Sequence, residues 1–363
     1  MRTRLAERLL VEIMKWEPQE VSAERPLLQA LSNFKYNEYQ QFSIGTLFIE
    51  SLVKWLNNFK TIEERKIAYN FLKNRVIFFS NNQILHLVNS TFNTVIQPIL
   101  VDKTARKLNI SKNLVTKITN NDEYDINLRR SLFIGLSDGA KIDHLRRSSN
   151  LDNEQVIPTY EVNRTKVKDM LDELKKSGES GKFDTVFLVD DFTASGTSYF
   201  RKEEGNWKGK IYKTLKSFFD KDEPLSQLIN SHKDLEIHLI FYIATTEAVD
   251  KIFKLKNKAL QSGEFGNFSF KIHILQKIEP VIKDEILSNE KEFVELSKKY
   301  IDESIVDRHF KKAKHKQYFL GYNECCLPIV LGHNTPNNSL PLLWWTSKKN
   351  EFSGIFPRIT RHN

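Results

Sequence analysis

Short apolar runs that alternate with helical segments constrain the fold of this chain more than any other feature of its sequence. The runs begin near Ser131 and read SLFIGL, TVFLVD, EIHLIFYIA, FKIHIL and CLPIVL. Runs of this length with helical patterns between them are typical of buried strands joined by right-handed crossover helices. We therefore predict an α/β domain over residues 126–363, built on a mostly parallel sheet with flanking helices.

The first 125 residues have a helical pattern instead. Apolar side chains fall on one helical stripe at Phe48, Leu52, Trp55, Leu56 and Phe59. Thr61 and Glu64 have the spacing of a capping box and predict a helix from Ile62 to about Leu72. We expect an α-helical N-terminal domain over residues 1–125.

The composition predicts a cytoplasmic protein without a membrane partner. Hydrophobic residues make up 40% of the 363 residues, and we expect no stretch to approach the roughly 20 apolar residues of a membrane span. Glu7 and Glu12 interrupt the amino-terminal segment, which therefore lacks the apolar run of a signal peptide. Cys325 and Cys326 are adjacent, a spacing that seldom forms a disulfide and that offers no paired ligands for zinc.

Positive charge is concentrated near the carboxyl terminus. The formal net charge of the chain is +9, and residues 306–363 contain nine Lys or Arg against three Asp or Glu, a difference of +6. This bias suits a phosphate-rich ligand or a nucleic acid. The alternative is a solvated lysine-rich surface.

Two adjacent carboxylates end the second apolar run, in the stretch VFLVDDFTASGTSYF at residues 186–200. Neighbouring acids such as Asp190 and Asp191 raise each other's pKa unless a cation or a hydrogen-bond donor meets them. Because ligands bind parallel sheets at the carboxyl ends of the strands, this pair predicts a ligand site.

A loop of small residues follows the acid pair. The residues that we predict to bind phosphate are Thr193, Ala194, Ser195, Gly196, Thr197 and Ser198. Backbone N–H groups of such a loop can converge on an anion at a helix N-terminus, and Gly196 can take a positive φ. No Gly-Lys-Ser/Thr follows, which excludes a P-loop. A phosphate on the loop and sugar hydroxyls on the acids describe a 5-phosphoribosyl group.

The same stretch resembles the signature of type I phosphoribosyltransferases. The resemblance implies that Asp190 and Asp191 are the catalytic acids, binding the ribose hydroxyls of phosphoribosyl pyrophosphate and a Mg²⁺ ion. It also implies that the loop amides bind the 5-phosphate. Ala194 stands where several purine-salvage members have an acid, which argues against standard purine chemistry.

An earlier stretch, SLFIGLSDGAKIDHLRRSSN at residues 131–150, resembles the pyrophosphate loop of that family. The resemblance implies pyrophosphate contacts from Ser137, Asp138, Gly139, Arg146 and Arg147. Asp138 departs from the pattern, because a carboxylate repels pyrophosphate unless magnesium lies between them; it is alternatively a helix N-cap. The arginines are either bidentate phosphate ligands or solvated helix residues.

Near the carboxyl terminus, the segment GHNTPNNSLPLLWW follows the last apolar run. We expect it to form a hood segment of the α/β domain. Asn334, Asn337 and Asn338 are candidates to bind a base or an acceptor, or else they organise Asx turns. Trp344 and Trp345 are expected to clamp this segment to the core.

Residues 105–118 have the spacing of a helix-turn-helix, with Asn109 at the turn, where it can adopt the left-handed conformation. This pattern predicts contact with DNA, or it is a chance match of two short helices.

Together, these motifs resemble the phosphoribosyltransferase-like proteins of bacterial conflict and antiphage systems, including those beside retrons, over roughly residues 130–363. The resemblance implies an effector that acts on a phosphoribosyl-containing ligand, either a nucleotide or a nucleic acid. The alternative is a sensor that binds such a ligand without chemistry and signals to a nucleic acid or to a protein of a defence complex.

Overall fold

The computed structural model describes residues 3–159, 161–176, 181–230, 235–261, 265, 268–311, 316–347 and 351–359. Its α-helices are α1 Thr3–Met14, α2 Pro18–Phe34, α3 Phe48–Asn57, α4 Ile62–Arg75, α5 Asn81–Thr91, α6 Gln97–Leu108, α7 Val115–Thr119, α8 Asp122–Arg129, α9 Ile142–Ser148, α10 Arg164–Lys176, α11 Lys210–Phe219, α12 Thr246–Gln261, α13 Val281–Asn289, α14 Lys291–Tyr300 and α15 Arg308–Lys311. Its strands are β1 Ile77–Phe79, β2 Ser131–Gly135, β3 Val156–Ile157, β4 Thr185–Thr193, β5 Arg201–Glu203, β6 Asn206–Lys208, β7 Glu236–Thr245, β8 Ser269–Ile278 and β9 Ile329–Leu331.

One compact unit, residues 85–279, is built on a parallel sheet. In the described part of this unit the strand order is β3-β2-β4-β7-β8, and each neighbouring pair is parallel. β2 is buried along its whole length, and β4 from Thr185 to Asp190. Four of the predicted apolar runs form β2, β4, β7 and β8. The predicted α/β class with a mostly parallel sheet is confirmed.

The strand order reverses between β2 and β4. From β2 the chain moves outward to β3, then returns to the other side of β2 as β4 and continues to β7 and β8. Such a reversal leaves a crevice outside the carboxyl ends of the two central strands, where ligands of open α/β sheets bind. The turn after β2 and the acid pair of β4 both lie at these ends.

The other compact unit combines residues 1–84 with residues 280–363. Here β1 and β9 pair in parallel, with Ile77 opposite Ile329. The predicted division after residue 125 therefore differs from the structure, because the CLPIVL run pairs with β1 rather than joining the main sheet. Residues 85–125 belong instead with the sheet, where the Lys103 ammonium on α6 lies 2.5 Å from the Asp184 carboxylate just before β4.

Aromatic packing supports this grouping of the two termini. The predicted stripe is confirmed, since its side chains are fully buried at Phe48, Leu52, Trp55 and Leu56 on α3 and at Phe59 just after this helix. The Trp55 indole donates a hydrogen bond of 2.7 Å to the carbonyl of Leu342. Trp344 and Trp345 are each only 5% exposed. The tryptophans therefore clamp the carboxyl-terminal segment to the core, as predicted.

A continuous helical stretch runs from Asn81 to Leu108, with a π-helical turn at Phe92–Ile96. By length and composition it is apolar enough to cross a membrane, with a mean hydropathy of 1.3 in its most apolar window, one third of which is buried. The expectation that no stretch reaches this limit is therefore wrong. Core helices of soluble proteins meet the same two criteria.

The candidate helix-turn-helix has the predicted turn but a short second helix. α6 ends at Leu108, and Asn109 adopts the left-handed conformation with φ of 53°. The second helix, α7, spans only five residues, about 7.5 Å. Contact of this segment with DNA stays a prediction.

The predicted capping box at the start of α4 is confirmed and extends into a larger network. The Glu64 Oε2 atom accepts hydrogen bonds from the backbone N–H groups of Lys60 at 2.9 Å and Thr61 at 3.2 Å, and from the Tyr300 hydroxyl at 2.6 Å. The Lys299 ammonium pairs with Oε1. Burial alone would raise the pKa of Glu64, but the contacts from Lys299, Tyr300 and the two amides outweigh it and lower the pKa to about 2.

We predict that Glu64→Gln lowers the free energy of unfolding at pH 7 by about 1–3 kcal/mol, because buried donors lose their charged acceptor. A carboxylate whose pKa is lowered in the folded state stabilises the fold above its unfolded pKa, and the stabilisation disappears as the pH falls through the folded value. The difference between wild type and variant should therefore shrink between pH 7 and pH 3. Urea unfolding at both pH values measures it.

The matched control is Glu12→Gln, at an exposed position on α1. It should leave the free energy of unfolding unchanged at both pH values. A Glu64→Gln effect that is as large at pH 3 as at pH 7 would show that the charge of Glu64 does not carry this network.

Candidate functional site

Asp190 lies at the carboxyl end of β4 and is completely buried. A buried carboxylate requires donors or counter-charges, since desolvation penalises its ionised form. The chain supplies them from three directions: the turn after β2, the segment after β4 and the start of α11.

Each oxygen of the Asp190 carboxylate has two donors. Oδ1 accepts hydrogen bonds from the Ser137 hydroxyl, which follows β2, and from the backbone N–H of Asp191 at 3.2 Å. Oδ2 accepts from the Tyr199 hydroxyl at 2.6 Å and from the Lys210 ammonium at 2.6 Å. The carboxylate thereby ties together the ends of β2 and β4, the loop that follows β4, and α11.

Burial raises the pKa of Asp190; the Lys210 ammonium opposes this rise, and the charge of Asp191 adds to it. The pKa of Tyr199 is also raised, first by burial and then by the negative charges of Asp190 and Asp191. The Tyr199 hydroxyl therefore remains a neutral donor toward Asp190. The expected repulsion between the acids is real, and the chain itself provides the cation that the sequence led us to expect from a ligand.

Asp191 has a different environment, because its side chain is only partly buried. It lies directly over Gly139 in the turn after β2, where an added Cβ would be 2.3 Å from its Oδ2 atom. Any larger residue at position 139 would push the Asp191 carboxylate aside. The neighbouring carbonyl of Ala140 accepts a hydrogen bond of 2.6 Å from Tyr242 on β7, which holds this turn against the sheet.

The predicted phosphate-binding residues form a compact loop. Ser195 and Thr197 are nearly buried, with their hydroxyl oxygens 2.8 Å apart, whereas Ser198 is exposed. Gly196 has a φ of +67°, as expected, and a Cβ there would be 2.7 Å from the carbonyl oxygen of Ala248. The Ala194 carbonyl accepts a hydrogen bond of 2.7 Å from the Thr245 hydroxyl at the end of β7. The loop is therefore fixed against the neighbouring strand and helix.

No helix follows this loop directly, contrary to prediction. In the described chain a hairpin of β5 and β6 comes first, and α11 begins only at Lys210. The turn closes through a hydrogen bond of 3.1 Å from the Tyr199 N–H to the Gly196 carbonyl. Anion binding by this loop would thus rest on turn amides and hydroxyls, without the N-terminus of a helix.

The predicted pyrophosphate residues divide into two groups. Ser137, Asp138 and Gly139 lie at the turn after β2, with Asp138 exposed and Gly139 under Asp191. Arg146 and Arg147 lie in the last turn of the seven-residue helix α9. Arg147 is exposed, and the Nε of Arg146 is buried without a hydrogen-bond partner among the described residues. Contact of either arginine with a ligand stays a prediction.

The three asparagines belong to the unit that combines the two termini, whereas Asp190 belongs to the sheet unit. The buried Asn338 amide donates to the Tyr322 carbonyl at 3.1 Å and to the Cys325 sulfur at 3.3 Å. Asn334 donates to the Ile359 carbonyl at 3.4 Å, and the Asn337 carbonyl accepts from the Tyr322 N–H at 2.7 Å. These bonds organise the segment, and a role in base binding stays a prediction.

Asp190 does not fit the predicted role of magnesium ligand. Mg²⁺ requires oxygen ligands at about 2.0–2.1 Å in octahedral geometry, but both oxygens of Asp190 are already bonded by protein donors, one of them an ammonium. Within the described ranges no group of three or more His, Cys, Asp or Glu side chains could hold a metal. Asp191, partly exposed, is the acid of the pair that could meet a metal ion.

Sequence reasoning missed three residues that build the site: Tyr199, Lys210 and Tyr242. Lys210 is twenty positions after Asp190 and reaches it only because a hairpin intervenes. In the sequence the two tyrosines have the pattern of ordinary core residues. Their roles are evident only from the structure, where Tyr199 contacts the Asp190 carboxylate and Tyr242 contacts the turn after β2.

We predict a large effect on stability for one acid and a negligible effect for the other. Asp190→Asn should lower the free energy of unfolding by about 1–3 kcal/mol, because three side-chain donors lose a charged acceptor. Asp191→Asn should change it by less than about 0.5 kcal/mol, since the amide keeps an acceptor oxygen and removes a like charge beside Asp190. Thermal melting and urea unfolding of both variants measure the difference. Equal losses in both variants would contradict the distinction between the two acids.

The comparisons with known proteins give one match. No curated protein and no solved structure matches the chain. The family described as PRTase-CE matches residues 52–358, which include both acids, the loop after them and the turn after β2. This match covers most of the chain and supports a phosphoribosyltransferase-like function. The chain therefore belongs to the PRTase-CE family.

Proposed function

We propose that this protein binds a phosphoribosyl compound, such as phosphoribosyl pyrophosphate or a nucleotide, at the carboxyl ends of β2 and β4, as type I phosphoribosyltransferases do. The observation that carries the proposal is the partly exposed Asp191, held between the turn at Gly139 and the hydroxyl-rich loop 193–198 at the point where the strand order reverses.

Each part of the ligand has a group of suitable chemistry. The turn amides of residues 193–198, with the hydroxyls of Ser195, Thr197 and Ser198, suit a 5-phosphate. The Asp191 carboxylate suits the ribose hydroxyls. The turn at residues 137–139 suits a pyrophosphate whose Mg²⁺ ion is shared with Asp191, and the exposed Asp138 would tolerate the pyrophosphate only with that ion between them.

The reaction that we propose is transfer of the phosphoribosyl group. In such a reaction positive charge develops at the anomeric carbon of the ribose as the leaving group departs. A fixed carboxylate next to the ribose stabilises that charge. Asp191 is placed to do this directly, while Asp190 holds the turn, the loop and α11 around it.

A second candidate function is a sensor that binds the ligand without chemistry. Its support is the state of Asp190, because a completely buried acid with four protein donors cannot touch a ribose unless those donors move. A site with one accessible acid is sufficient for recognition.

We place this function in antiphage defence, in the cytoplasm. The support is the likeness of the quoted motifs to phosphoribosyltransferase-like proteins of bacterial conflict systems. As an effector or a sensor there, the protein would act with a nucleic acid or with another protein of a defence complex. The excess of positive charge over residues 306–363 suits a nucleic acid.

Isothermal titration calorimetry with ribose 5-phosphate and with phosphoribosyl pyrophosphate tests the proposal. We predict binding of both to the wild-type protein and a loss of at least about tenfold in affinity, equivalent to 1.4 kcal/mol, in Asp191→Asn. Gly139→Ala should weaken binding too, because its Cβ would displace the Asp191 carboxylate.

The matched control is Asp143→Asn, an exposed acid on α9, which should bind as the wild type does. If neither ligand binds, the phosphoribosyl proposal is wrong. If both bind, mass spectrometry of nucleotides incubated with phosphoribosyl pyrophosphate distinguishes the enzyme from the sensor: a new ribosylated product identifies the enzyme.

A further inference from the structure

The Lys210 ammonium takes the position of a counter-ion for the acid pair. Its Nζ lies 2.6 Å from the Oδ2 atom of Asp190 and 5.1 Å from the centre of the Tyr199 ring. The lysine side chain is 28% exposed, whereas Asp190 is not exposed at all. The lysine side chain thus contacts a buried carboxylate and is itself partly exposed.

The backbone holds Lys210 at this place. Its N–H donates to the Ser198 carbonyl at 2.9 Å, and the next N–H, that of Ile211, donates to the Tyr199 carbonyl at 3.1 Å. Gly209 has a φ of +122°, and a Cβ there would be 2.2 Å from the Tyr199 carbonyl oxygen. The β5–β6 hairpin and this glycine therefore bring the first residue of α11 onto the candidate phosphate loop.

Charge balance shows what Lys210 contributes. Two adjacent carboxylates, one of them fully buried, are stable only near a positive charge. A divalent cation could supply that charge, but the oxygens of Asp190 are already taken, and a dication at Oδ2 would be within a few ångströms of the ammonium. A lysine provides the same compensation permanently and needs no metal from solution.

We propose that Lys210 replaces a protein-bound divalent cation at this acid pair, so that the site accepts a ribose 5-phosphate group without metal. This inference rests on the proposed function for its ligand but not for its cation. Magnesium would then be required only by ligands that bring a pyrophosphate with them.

The first experiment needs no ligand. We expect the melting temperature of the wild-type protein to be the same in EDTA and in MgCl₂ of matched ionic strength. Lys210→Ala should melt several degrees lower in EDTA, and MgCl₂ should restore at least half of that loss in a saturable way, because the vacated position lies beside the buried Asp190 carboxylate, whose neighbour in sequence is a second acid. Lys213→Ala, an exposed position on the same helix, should respond to neither change.

Saturable stabilisation of the wild-type protein by MgCl₂ would overturn the assignment, and so would a Lys210→Ala variant that folds but does not respond to magnesium. The wild-type measurement stands by itself if Lys210→Ala does not fold. Lys210→Arg, which keeps the charge, should melt close to the wild type and show no magnesium response; a response like that of Lys210→Ala would contradict the role of charge.

The second experiment is calorimetry of ribose 5-phosphate with wild-type protein in EDTA and in MgCl₂. Equal affinity in both conditions supports the inference, and binding only with magnesium overturns it. If ribose 5-phosphate binds in neither condition, the proposed function fails, while the melting experiment still decides whether Lys210 replaces the metal.

Discussion

The ion pair between Lys210 and Asp190 is the contact on which the arrangement at the carboxyl end of the sheet depends. Asp190 lies near the carboxyl end of β4 without any exposure to water, so its charge must be compensated inside the protein. The groups that compensate it come from the turn after β2, from the loop after β4 and from α11. Removal of the carboxylate charge would loosen all three from one another, which is why a single buried acid defines the geometry of the crevice.

The two adjacent acids have different roles in the site. Asp190 is a positioning residue whose partners belong to the protein. Asp191, the next residue, is partly exposed and lies over Gly139, where any added side chain would collide with its carboxylate. Membership of the PRTase-CE family and the position of this pair at the reversal of strand order agree with a phosphoribosyl site. In the site that we propose, a ribose 5-phosphate group would meet Asp191, while Lys210 compensates the charge of Asp190 in place of a metal ion.

Local pattern predicted much of this structure, and tertiary pairing decided the rest. The apolar runs at β2, β4, β7 and β8, the cap at Thr61 and the positive φ of Gly196 follow from neighbouring residues, and each is present. The pairing of β9 with β1 joins residues about 250 positions apart, a relation that no local pattern contains. Because of this pairing, residues 280–363 form one compact unit with residues 1–84, and the units differ from the predicted domains.

The β5–β6 hairpin, which follows residues 193–198, could not be predicted from the sequence either. Its strands are three residues long and, apart from Trp207, polar, so their composition resembles that of a loop. Gly205 and Gly209 were the available signals, since both take a positive φ. Unless the hairpin is known, nothing in the sequence places Lys210 near Asp190. The acid pair is then interpreted as a site that requires a metal ion.

A crystal structure of the protein with ribose 5-phosphate, grown in EDTA, tests the central claim most directly. We predict that the Lys210 ammonium remains within hydrogen-bonding distance of Asp190, that the ribose hydroxyls contact Asp191, and that the phosphate lies against residues 193–198. A ligand that displaces Lys210 and bonds to Asp190, or one that binds elsewhere on the chain, would contradict it.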